Sequence, residues 1–293
     1  MAAGELAPQE LRVLVAVAES GGFSAAAETL GLTQSAVSHS VRGSEAKLGA
    51  VLFERGRSGA TPTAAGERAA GHARRILRLY EVMGAEVRGA GRDADPVDGV
   101  LRIAAFRSAA LHLLPPALER LTARHPGIRP EVRVVREIGP GTAGEVAAGR
   151  ADLGIATLGV AQGVPPGLLS GVLVEEAYAL VHPAGHPEPK TLPLMDWDEN
   201  CGSYTRAWWR AQDWIPRATV KAEDDAMVLT MVGRGLGMAI MPELSLREAT
   251  EAVDITCLGP GGPVRRVGYV TTPESAATLA VRALIRELRS GSS

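Results

Sequence analysis

The tightest constraint in this sequence is the crowding of three helical patterns into residues 8–49 with almost no chain between them. Leu11, Leu14, Val15 and Ala18 recur at helical spacing behind Pro8, and Gly21-Gly22 stops the run. Ser24 is placed to cap a short second helix from Ala25 to Leu30, ended by Gly31, and Thr33 to cap a third that continues to Leu48. Such short connections force the second and third helices to cross sharply, which is the geometry of a helix-turn-helix.

The third helix is rich in polar residues. Val37, Val41 and Leu48 share one face, while Gln34, Ser38 and Arg42 fall at i, i+4 and i+8 on another, flanked by Ser35 and His39. Thr, Gln, Ser and His are indifferent helix formers, so helix stability does not account for them. Short donors and acceptors at the start of a helix whose dipole favours phosphate suit a DNA major groove; a solvated polar stripe is the alternative. Further on, "LFERGRSGATPTAAGE" (52–67) predicts a hairpin with Arg55 and Arg57 near its tip, leading into a new helix. A helix-turn-helix followed by a basic hairpin is a winged helix-turn-helix, assigned to residues 1–63.

This stretch resembles the amino-terminal domain of the LysR-type transcriptional regulators, through "AAAETL", "TQSAVS", Glu45, Leu48-Gly49, "LFER" and "TPTAAGE". On this reading Gln34, Ser35, Ser38, His39 and Arg42 read bases, and Ser24, Arg55 and Arg57 hold phosphates. Two departures stand out. His39 replaces a frequent arginine, and Gly43-Ser44 replaces a longer residue followed by leucine. An interior glycine costs about 1 kcal/mol against alanine, so the helix is expected to be less stable than its relatives'.

From 64 to 92 the chain predicts one long helix. Ala69, Ala73, Ile76, Tyr80, Met83 and Val87 are spaced 4, 3, 4, 3 and 4, a heptad seam narrower than globular packing uses. The resemblance implies that this linker helix pairs two chains, placing two recognition helices on one two-fold site, as a homodimer or a homotetramer built as a dimer of dimers. "GAGRDADPVDG" (89–99) is glycine, proline and aspartate, and residues 93–98 are expected to be a hinge.

Residues 99–293 alternate strand and helix patterns: "GVLRIAAF", a helix marked by Leu111, Leu114, Leu118 and Leu121, "EVRVV", a helix over Thr142 to Ala148, and "ADLGIA". A second unit holds "GVLVEEAYALVHP" and "DAMVLTMVGRGLGMAIMP", and "RRVGYVT" with a helix from Ser275 to Leu288 returns to the first. This organisation resembles the LysR effector domain, itself similar to periplasmic binding proteins. It predicts a two-lobed α/β fold, with lobe I at 99–165 and 266–293 and lobe II at 166–265. "LLPPALERLTARHPGI", "GRADLGIA", "LVHPAGHP" and "VGRGLGMAIMP" each match family patterns.

In such folds ligands settle beyond the carboxyl ends of strands, here between lobes. The expected effector contacts are Arg107, Ser108, Thr157, Cys201, Gly202, Ser203, Glu223 and Asp224. Arg107 suits a carboxylate, and Ser108 is the nearest match to the serine or threonine with which the family often binds one. Trp197, Trp208, Trp209 and Trp214 form either an aromatic wall for a flat effector or a closed core.

The remaining signals exclude more than they suggest. A formal net charge of -2 means that nucleic-acid binding must come from a local patch. Cys201 and Cys257 lie far apart without zinc spacing, which predicts a reducing compartment, the cytoplasm. The first twenty residues lack a basic leader pattern and no apolar run is long enough for a membrane span. "GRGLG" follows a helix and precedes a strand, the reverse of a dinucleotide loop, and His182 and His186 lack a third ligand, so no cofactor or metal is expected. The expectation is a non-enzymatic regulator of double-stranded promoter DNA whose lobes, closing on a small molecule, alter promoter bending and contact with RNA polymerase. The rivals are a solute-binding protein and a cleft enzyme using Cys201 as nucleophile.

Overall fold

The computed structural model describes residues 4–56, 59–89, 98–159, 163–199 and 208–291. Helices α1 (Pro8–Ser20), α2 (Phe23–Leu30) and α3 (Gln34–Leu48) close around Val13, Leu14, Val17, Ala26, Val37 and Val41. Gly21 and Gly31 end their helices in the left-handed conformation, and the Thr33 hydroxyl accepts the Ala36 N–H at 3.2 Å, as the sequence predicts. Ser24 does not cap α2. The helix begins two residues earlier, after Gly22, because Phe23 packs edge to face on Phe53 at 6.4 Å and draws the first turn into the core. α3 runs unbroken through Gly43, with buried Ser44 donating to the Ser40 carbonyl at 3.0 Å. Leu48, expected on the core face, is exposed, since the apolar core meets α3 only at Val37 and Val41.

Strands β1 (Phe53–Gly56) and β2 (Gly59–Pro62) form the antiparallel wing. Glu45 ties it to α3: its Oε1 accepts the backbone N–H of Leu52 at 2.8 Å and of Phe53 at 3.3 Å. The Thr63 hydroxyl donates to the Val51 carbonyl at 2.8 Å and accepts the Gly66 N–H at 3.0 Å, opening α4 (Ala64–Gly89). At 26 residues α4 is about 39 Å long. Its first turn presses on the wing so closely that a Cβ on Gly66 would lie 1.9 Å from the Leu52 carbonyl oxygen.

The remaining elements are β3 (Gly99–Ala105), α5 (Arg107–His112), α6 (Leu114–Arg124), β4 (Ile128–Val134), α7 (Gly141–Ala147), β5 (Leu153–Leu158) and β6 (Leu169–Pro183). Then come β7 (Leu194–Trp197), β8 (Ala218–Ala222), α8 (Asp225–Gly233), β9 (Ala239–Pro242), α9 (Glu243–Leu246), β10 (Val253–Cys257), β11 (Val264–Thr271), α10 (Pro273–Ala277) and α11 (Leu279–Ser290). β3 runs parallel to β4 and β5, and β11 is antiparallel to β5 and β6, so the sheet is mixed. Its strand order is β10-β6-β11-β5-β3-β4.

β6 belongs to both lobes. Leu169 to Ala177 pair with β11, and Tyr178 to Pro183 pair with β9 and β10. The crossing expected at residue 166 therefore falls inside this strand, between Ala177 and Tyr178, where one continuous strand bonds first to β11 and then to β9 and β10 without a turn. Two expected helices are each divided. Pro115 and Pro116, which lack N–H donors, restrict the break to the start of α6, and the Thr278 hydroxyl caps Val281 to start α11 afresh. Leu111, on the far side of the first break, is exposed. Trp197 and Trp209 are buried in lobe II and Trp208 meets Trp214 edge to face at 6.5 Å, so the tryptophans build its core.

Glycine geometry yields a paired expectation. Gly43→Ala meets nothing closer than Glu10 Oε1 at 3.9 Å, so it should stabilise the amino-terminal domain by about 0.4–1 kcal/mol. Gly66→Ala should prevent the wing from docking. Thermal unfolding of the two variants should move in opposite directions.

Candidate nucleic-acid interface and interlobe cleft

On α3, Gln34, Ser35, His39 and Arg42 are exposed and line the outward face, and Ser24 is exposed in the first turn of α2. Ser38 is a correction: it is only 9% exposed and turns inward. Successive helical residues advance by about 100°, which sets Ser38 beside Val37 and Val41 and leaves Ser35, His39 and Arg42 as the outer stripe. Arg55 lies on β1 opposite Ala60, but its side chain, like all of Arg57, falls outside the described residues.

The expected seam of α4 divides in two. Ala73 is fully buried and Ala69 packs on the amino-terminal core, so both serve their own chain, where α4 lies along α1. Beyond them Ile76, Tyr80, Met83 and Val87 are exposed at heptad spacing, and Leu79 joins them at 42% exposure.

Between the lobes, the sequence candidates meet partners that sequence spacing does not announce. Arg107, at the start of α5, binds Asp225 at 3.1 Å and Glu248 at 2.7 Å, both in lobe II. Burial opposes its charge, but the Glu248 and Asp225 carboxylates outweigh burial and raise its pKa. Expected to take an effector carboxylate, Arg107 is held here by the chain's own acids. Arg136 makes a second tie across the lobes, to Glu199 at 2.7 Å and to the Glu223 carbonyl at 2.8 Å. Burial pushes the Glu199 carboxyl up, and nearby Asp225 and Asp224 add to this against the pull of Arg136. The Asp224 side chain caps α8 through the Met227 N–H at 2.8 Å.

Thr157, at the end of β5, donates its N–H to Glu137 at 3.2 Å, and Glu137 also accepts the Thr142 hydroxyl at 2.6 Å. Ser108 is 2% exposed and faces Arg265 at 3.5 Å. Arg265 in turn binds Glu176 at 2.6 Å at the point where β6 passes between lobes. Cys201, Gly202 and Ser203 lie outside the described residues. Sequence reasoning missed Arg136, Glu137, Glu176, Glu199, Asp225, Glu248 and Arg265; only the acidic pair Asp224-Asp225, beside predicted Glu223, offered a local signal.

Arg107→Ala should leave two lobe II carboxylates without their cation. For a pair this accessible the cost is about 1 kcal/mol, and a lower melting temperature of the full chain is the expected readout.

Comparison with known proteins agrees with this arrangement. Residues 8–67 match the family of bacterial regulatory helix-turn-helix proteins of the lysR family, and residues 94–293 match the LysR substrate binding domain. The chain is 34% identical over 246 residues to the probable HTH-type transcriptional regulator LrrA of Synechococcus elongatus, covering 80% of this chain and 81% of that protein. In fold it is similar to ArgP from Mycobacterium tuberculosis, with TM-score 0.77, 20% identity and coverage of 99% and 98% of the two chains. It is also similar to full-length CbnR complexed with its target DNA, with TM-score 0.65, 21% identity and coverage of 98% and 100%. With both family domains present in order and filled by the elements described above, the chain belongs to the LysR family of DNA-binding transcriptional regulators.

Proposed function

We propose that this regulator binds a two-fold promoter site as a homodimer or a homotetramer, and that a small molecule between the lobes adjusts that binding. The observation that carries the reading is the outward stripe of Gln34, Ser35, His39 and Arg42 on a helix flanked by a wing. Its side chains present donors and acceptors suited to base edges, and the exposed first turn of α2 offers Ser24 to a phosphate. The exposed apolar row from Ile76 to Val87 suits pairing with a second copy, which sets the spacing of the two recognition helices. Effector binding would act on the interlobe ties of Arg107 and Arg136, and the resulting change in the assembly would reach RNA polymerase at the promoter. A regulator whose ligand is promoter DNA would work in the cytoplasm. Among the described residues no helix is long and apolar enough to cross a membrane.

Fluorescence anisotropy with the DNA upstream of the protein's own gene, beside a scrambled duplex, tests the reading. Preference for the native sequence and a steep salt slope are expected. Arg42→Ala should weaken specific binding by about 5- to 150-fold, corresponding to about 1–3 kcal/mol, with little change on the scrambled duplex. Equal binding of both duplexes by the unaltered protein would overturn the regulatory reading.

Met83→Glu places a charge in the middle of the exposed heptad row. Sedimentation should show monomers, and DNA affinity should fall with them, because two linked recognition helices bind far more tightly than one.

A further inference from the structure

The face of α4 opposite the apolar row is not free. Arg78, 17% exposed, donates from Nε to Asp152 Oδ1 at 2.8 Å, reaches the Val100 carbonyl through Nη2, and binds Glu81 at 2.9 Å. Asp152 is 8% exposed at its side chain, and its second oxygen accepts the Arg102 N–H at 2.9 Å. One turn earlier, Arg74 joins Glu19 of α1 at 3.0 Å to the Ala148 carbonyl at 3.1 Å. The loop between α7 and β5 approaches the helix so closely that a Cβ on Gly149 would stand 2.9 Å from the Gly71 carbonyl oxygen, and Gly149 has φ +69°. Removing either partner would leave a largely buried charge unpaired, so the contact is costly to lose.

Asp152 immediately precedes β5, a strand buried over Leu153 to Thr157. Next to its far end, Thr157 is held by Glu137, whose neighbour Arg136 spans the lobes to Glu199. At ~3.3 Å per residue, Asp152 and Thr157 stand about 17 Å apart along one buried strand, at the linker helix and the cleft respectively. We propose that Arg78 and Asp152 form a clamp by which the effector domain grips the linker helix of its own chain, and that β5 connects the clamp to the interlobe cleft. The regulatory meaning of the clamp rests on the function proposed above; the coupling itself does not.

Hydrogen exchange on the full chain, free of DNA and of any effector, tests it. Arg78→Ala should quicken exchange of the amides of residues 148–152 by about tenfold or more, and Arg78→Lys, which keeps the charge but cannot reach Val100 as well, by less. Adding Asp152→Asn to Arg78→Ala should quicken these amides by less than Asp152→Asn does on its own, since the two substitutions share one contact. Arg136→Ala, at the other end, should also quicken residues 148–152. Arg68→Ala, at an exposed position on an earlier turn of α4, should leave them as they are. Unchanged exchange in Arg78→Ala and Arg78→Lys, or additive effects in the double variant, would overturn the clamp. An Arg136→Ala effect confined to the cleft would overturn the connection through β5. Failure of promoter binding by the unaltered protein would defeat the regulatory reading while leaving these exchange results to stand or fall alone.

Discussion

The arrangement of the molecule depends on α4 having three faces with three different partners. Its first turns bury Ala70 and Ala73 where the helix lies along α1, Arg74 and Arg78 face the effector domain, and Ile76, Tyr80, Met83 and Val87 are exposed on the opposite side. A helix of about 39 Å is stiff, so whatever position each face dictates is transmitted to the other two. The recognition helix is held to this frame at one remove, because Gly66 lets α4 lie on the Leu52 carbonyl and Glu45 bonds the adjacent backbone to α3. The angle of the reading helix is therefore a consequence of close backbone contact and one carboxylate.

The interlobe region shows a related economy of means. Arg107 and Arg136 leave lobe I and end on acids of lobe II, while Glu176 and Arg265 form a buried pair where β6 passes between the lobes. The Glu176–Arg265 pair is buried, and such a pair contributes little net stability but specifies geometry, since separating its partners strands a charge in a poorly solvated place. The Arg107 and Arg136 ties are accessible and cost little to break, so they are the contacts that a change in lobe closure would release first.

Much of this was legible beforehand, where a signal is local. Glycine stops, the Thr33 cap and the wing come from adjacent residues acting on one another, and each is found where expected, while the heptad row is exposed only from Ile76 onward. Errors arose where one side chain answers to a distant neighbour. Phe23 starts α2 early because Phe53, thirty positions away, receives it; Ser38 is lost to the interior by a matter of helical phase; Ala73 turns from partner seam to domain core because α1 happens to lie against it.

The amino-acid sequence by itself determined the kinds of element, their order, and the residue types that a DNA groove or a partner helix would meet, because periodicity and capping act over a few residues. Only the tertiary structure decided which acids neutralise Arg78, Arg107 and Arg136, and where along β6 one lobe gives way to the next. These depend on charges brought together across 63 to 141 positions of chain, and no local spacing encodes which carboxylate a folded surface will bring within 3 Å of a guanidinium.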